Sequence, residues 1–85
     1  VPTPPEPWII NQRIQIGSRL RALREWRNLS QEDLGLAAGL SAYSVYRAEH
    51  GVTSLNLDHL MRYARVLKVP LVWFFTDNSE LPGDD

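Results

Sequence analysis

Residues Ser30–Gly51 read SQEDLGLAAGLSAYSVYRAEHG, and the placing of Ser, Gly and Leu in this stretch decides the fold. Ser30 carries the short hydroxyl side chain that caps a helix N-terminus, and Asp33 stands where the acid of a capping box reaches back to the cap's backbone amide. A helix is therefore predicted over 31–38. Gly39 ends it, Leu40 plugs the turn, and Ser41 caps a second helix over 42–50 that Gly51 closes. Leu34, Ala38, Leu40 and Val45 form the inner face of this tight helical hairpin, and Ala38 is expected to be small because the two helices cross there.

Outward from the hairpin the same signals recur. Upstream, Ile16, Leu20 and Leu23 fall at helical spacing within a helix predicted over 11–27, with Arg19, Arg21, Arg24 and Arg27 elsewhere on it as a solvated face. Asn28 can take the left-handed conformation that stops this helix. Four prolines in residues 1–7 argue for an extended arm, and Trp8, Ile9 and Ile10 after them should pack on the body or on a second copy. Downstream, Asn56 caps a fourth helix whose Leu57, Leu60, Ala64 and Leu67 share a face, and Lys68 stands where a C-terminal Gly is usual. Pro70 suits the entry to a short fifth helix over 71–75, in which Phe74 and Phe75 are assigned to the interior. The expected architecture is an all-α, five-helix bundle: a Pro-rich arm over 1–10, a helical domain over 11–76 and an acidic, flexible tail over 77–85.

At 85 residues the chain has room for one core. It contains no Cys, so neither disulfides nor a Cys-based zinc site supplies stability. No apolar run approaches the roughly 18 residues of a membrane span, and a soluble, cytoplasmic protein with no membrane partner is expected. The net charge of −1 argues against a nucleic-acid partner when taken whole, but all nine basic residues lie between Asn11 and Pro70, beside five of the ten acids. The flanking segments hold only acids, so a basic body carries acidic ends.

The hairpin itself carries the functional signal. Two helices joined by a tight Gly-containing turn make a helix-turn-helix, and its second helix is short enough to enter a DNA major groove about 12 Å wide. The stretch Ser30–Gly51, together with IGSRLRALR at 16–24, LDHLMRYARVL at 57–67 and VPLVWFF at 69–75, resembles the phage Cro and repressor type of helix-turn-helix, the XRE family. Leu20, Arg24, Ser30, Gln31, Leu34, Ala38, Gly39, Val45, Glu49, Gly51, Leu60 and Pro70 carry the resemblance in one register. It implies base reading by Ala42, Tyr43, Tyr46 and Arg47, and a structural ion pair between Arg24 and Glu49. Arg47 alone among those four can make a bidentate contact to guanine. Gln31, Ser41 and Ser44, at or near helix N-termini, are placed to donate to phosphates.

Three departures from the family pattern stand out. Gly35 replaces the usual Ala, which by propensity weakens its helix by up to about 1 kcal/mol. Ala48 stands where a larger aliphatic is common, so the core near Glu49 is expected to be filled from elsewhere, by an aromatic residue for instance. The loop over 52–55 lacks the Lys or Arg that many relatives place on phosphates.

His50 and His59 lie on different helices with no Cys or spaced carboxylates to complete a metal site, and a small helical bundle offers little cleft for catalysis. No cofactor, metal or enzymatic activity is expected. Val72, Trp73 and Leu81 are assigned to an exposed apolar patch that serves as a homodimer interface. The reading is a sequence-specific regulator of transcription, a repressor that occupies double-stranded DNA. The alternative is a protein-interaction module, antitoxin-like or polymerase-binding, that kept the fold.

Overall fold

The computed structural model describes residues 3–76, and among these the regular structure is helical. The order is α1 (Pro7–Trp26), α2 (Gln31–Ala37), α3 (Ala42–His50), α4 (Leu57–Leu67) and a 3₁₀ helix (Leu71–Phe75). The fifth element is thus 3₁₀ and not α. Leu81 and the acidic tail lie outside the described residues.

Each boundary has a local cause. Ser30 and Asp33 form a reciprocal capping box: the Asp33 amide donates to Ser30 Oγ at 2.9 Å, and the Ser30 amide donates to Asp33 Oδ2 at 3.1 Å. Hydrogen bonding of the carboxylate to the Ser30 amide, and then to the Ser30 hydroxyl, holds the Asp33 carboxyl below its ordinary pKa. Ser41 and Asn56 cap α3 and α4 in the same way, each accepting from the amide three residues on. Asn28 and Lys68 take the left-handed conformation, both at φ 58°, and end α1 and α4 as glycines commonly do.

The start of α1 corrects the extended arm over 1–10. Pro7 occupies the first helical turn, where its missing N–H costs nothing and its fixed φ favours the helix, so the helix begins four residues before Asn11. Trp8 and Ile10 are therefore helical and exposed, and the Trp8 indole donates to Glu6 Oε2 at 2.7 Å.

Leu20 and Leu23 of α1, Leu34 and Ala38 at α2, Val45 of α3 and Leu60, Tyr63, Ala64 and Leu67 of α4 close around one core, with Val69 and Phe74 beneath. Leu57 lies in the first turn of α4 and stays exposed, in contrast to the expected apolar stripe. Phe75 is exposed as well. A 3₁₀ helix has three residues per turn, so residues three apart share a face: Leu71 and Phe74 point inward, and Val72 and Phe75 point out.

The arginines of α1 are not a simple solvated face. Arg19 and Arg24 are buried, Arg19 donating to the Phe74 carbonyl at 3.3 Å. Arg27 stacks on the Trp26 ring and donates to the Leu67 carbonyl at 2.7 Å, so both Arg19 and Arg27 tie α1 to the C-terminal part of the fold. Arg21 is exposed and pairs with Glu25 one turn on.

α3 packs against both α1 and α2, and at each contact a glycine sets the distance. A Cβ on Gly35 would overlap the Ser41 carbonyl, and one on Gly17 would overlap the carbonyl oxygens of Ala48 and Glu49. Gly35 thus lies against the Ser41–Ala42 backbone with no room for a methyl, and the departure from Ala is a packing requirement. Gly35→Ala and Gly17→Ala, which helix propensity alone would make stabilising by about 1 kcal/mol, should each destabilise by about 1–3 kcal/mol because backbone must move. Urea unfolding checks this; an unchanged or raised midpoint would contradict it.

Tyr63 is fully buried, and its hydroxyl has no hydrogen-bond partner. It lies in the region beside Ala48 and Leu60 and supplies an aromatic ring there. Burial, reinforced by the negative charge of Glu49, pushes the phenol pKa up to about 12. A folded-state pKa above the unfolded value of about 10 gives a stabilising term that is complete below that value and fades as pH rises through the folded one. Tyr63→Phe should hold or raise stability near pH 7, by up to about 1 kcal/mol, because it removes an unsatisfied hydroxyl. The loss between pH 10 and pH 12 should be smaller in the variant, as denaturation curves at both pH values would report.

Candidate nucleic-acid interface

α3 buries one side and presents the other. Val45 and Glu49 face inward, while Ala42 and Arg47 are half-buried and Tyr43, Tyr46 and His50 are exposed. Ser41 Oγ accepts from the Ser44 amide at 3.2 Å, and the two hydroxyls lie 3.1 Å apart. Both therefore stand at the N-terminal end of the helix, where its free amides and positive dipole end lie.

The outward side chains form a connected stack. The Arg47 guanidinium lies 5.5 Å from the centre of the Tyr43 ring, Tyr43 and Tyr46 are nearly parallel with centres 6.3 Å apart, and His50 sits 4.2 Å from Tyr46. These contacts follow from helical spacing, since residues three and four apart are neighbours on one face. A cation over a tyrosine face is attracted by the ring's quadrupole, which limits the directions its N–H groups explore. His50, given no role from the sequence, is the end of this stack; its spacing of four from Tyr46 was the available signal.

Behind the exposed face, Glu49 collects donors from two other segments. Arg24 of α1 donates through Nε to Oε2 at 2.6 Å and through Nη2 to Oε1 at 3.1 Å, and its Nη1 reaches the Leu29 carbonyl at 2.8 Å. The Glu49 hydrogen bond, aided by the opposite charge, raises the Arg24 pKa above its ordinary value against the effect of burial. Gln31, the first residue of α2, donates Nε2 to Glu49 Oε1 at 3.1 Å. One amide proton of Gln31 is thus engaged inside the fold, while the side chain stays partly open to solvent.

Between α3 and the following loop lies a cavity of about 200 Å³, rimmed by Ser44, Arg47, Thr53, Ser54, Asn56 and His59. On the 3₁₀ helix, Val72 is exposed, and Trp73 packs against Trp26 with ring centres 6.5 Å apart. Among the described residues no group of three or more His, Cys, Asp or Glu could hold a metal ion, and no helix is long and apolar enough to cross a membrane.

Comparison with known proteins agrees with this geometry. The helix-turn-helix family model matches residues 20–74. An uncharacterized HTH-type transcriptional regulator of Sinorhizobium fredii is 39% identical over 62 residues, covering 73% of this chain and 43% of that protein. Another from Sinorhizobium medicae is 34% identical over 71 residues, covering 84% and 49%. This chain thus spans less than half the length of either regulator. The crystal structure of the restriction-modification controller protein C.AhdI from Aeromonas hydrophila superposes with a TM-score of 0.75 at 30% identity, covering 78% of this chain and 96% of the controller. The chain belongs to the XRE-type helix-turn-helix family.

Proposed function

We propose that this chain is the DNA-reading unit of a transcriptional regulator, with α3 lying in the major groove. The observation that carries the reading is the division of α3: Val45 and Glu49 lock it to the body, and Tyr43, Tyr46 and Arg47 project from it with Ala42 beside them. Arg47 reads guanine, and Ala42 and the Tyr43 ring touch thymine methyl groups. Gln31, Ser41 and Ser44 set the register on phosphates.

The regulator acts as a homodimer joined through Val72, Trp73 and Leu81, and it represses by occupying its operator without catalysis or a cofactor. Such a dimer places two recognition helices about 34–36 Å apart and calls for a near-palindromic site. The kinship with C.AhdI, a restriction-modification controller by name, supports a regulatory role for this chain.

A second reading is a protein-interaction module that retains the fold. The exposure of Tyr43 at 64% and Tyr46 at 43% favours it.

Selection from a random duplex pool, followed by salt titration, separates the two. A DNA reader should enrich a two-fold site. Arg47→Ala should then relax preference at one guanine, with a loss of about 1–3 kcal/mol, while Gln31→Ala should weaken all sequences alike. No enrichment and no salt-dependent binding would leave the interaction module as the reading.

A further inference from the structure

The loop over 52–55 follows α3, yet it contains no Lys or Arg. In the structure a cation reaches it from α1. Arg13 Nη2 donates to Ser54 Oγ at 3.1 Å, across 41 residues of sequence. The backbone of Arg13 and Ile14 also lies against Gly51, the residue that ends α3, closely enough that a Cβ there would meet it at 3.0–3.1 Å. The N-terminal half of α1 thus seats Arg13 beside the C-terminal end of the recognition helix, and Ser54 links it to the polar cavity that Ser44 and Arg47 also line.

The other α1 arginines serve the fold. Arg19, Arg24 and Arg27 donate to backbone carbonyls or to Glu49, and Arg21 pairs with Glu25. Arg13 differs, because no carboxylate pairs with it among the described residues and its partner is a neutral hydroxyl on the surface. Its full positive charge remains available.

We propose that Arg13 is a phosphate-binding residue, held by Ser54 to grip a DNA phosphodiester beside the groove that α3 occupies. The ligand is an oxyanion, which a guanidinium with unused N–H donors meets in a charge-assisted contact. The Ser54 hydroxyl holds the guanidinium at the loop, so the contact depends on α1 for charge and on the loop for position. This inference rests on the DNA-reading function and adds to it a cation from outside the helix-turn-helix.

The test is a salt series on the full chain with the selected duplex and with an unrelated one, read by fluorescence anisotropy. Arg13→Gln should weaken binding to both duplexes and lower the slope of log affinity against log salt by about one. Base preference and thermal midpoint should be unchanged, and Arg13→Lys should restore the slope. Ser54→Ala should keep the slope and weaken binding less than Arg13→Gln does. An unchanged slope in Arg13→Gln, or a loss of affinity equal at every salt concentration, would overturn the proposal while leaving DNA reading intact. Absence of salt-dependent binding by the parent chain would instead overturn the reading on which it rests.

Discussion

Glu49 is the buried carboxylate on which the placing of α3 depends. Two donors from Arg24 and one from Gln31 converge on it, so the last turn of the recognition helix is tied at one point to α1 and to the start of α2. A charge so enclosed is tolerable only while its partners are present, and removing one partner of such a pair typically costs about 3–5 kcal/mol. Tyr63 feels the same charge from the core side. The two glycines complete the constraint, since Gly35 lets α2 approach the first residue of α3 and Gly17 lets α1 approach its last turn. Held at both ends, α3 has little freedom to roll, and its outward residues keep one orientation.

That fixed orientation gives the exposed face its character. Most of the arginines that make the body basic by composition are consumed by the fold: they bond the carbonyls of Phe74, Leu29, Leu67 and Ala38, or pair with Glu25 and Glu49. Electrostatic attraction for a polyanion therefore falls to few groups, among them Arg47 on α3 and Arg13 beside it. A face with two stacked tyrosines and one guanidinium is better suited to reading base edges and methyl groups than to strong nonspecific attraction.

The hairpin was legible from sequence because its signals are local. Ser30 with Asp33, Gly39, Ser41 and Gly51 act through bonds or dihedrals within a few residues, and α3 runs over the predicted 42–50. What escaped depends on long-range contact or on subtler local geometry. Whether Gly35 is a weak helix residue or a necessary gap is decided by Ser41, which only the packed hairpin brings near. Whether Arg19 is solvated is decided by the Phe74 carbonyl, 55 residues away. The early start of α1 was readable in principle, because Pro7 suits a first helical turn, but three further prolines before it pointed to extended chain. The period of three that exposes Phe75 was hidden because a short apolar run does not distinguish 3₁₀ from α.

Amide chemical shifts followed by NMR during titration with the selected duplex test the central claim most directly, since they report which surface meets DNA without altering any residue. The perturbations should concentrate on residues 41–50, on Gln31 and on the loop over 52–55, and follow the same titration curve as binding to the site. Perturbations confined to the outer face of the 3₁₀ helix, with α3 silent, would contradict that claim.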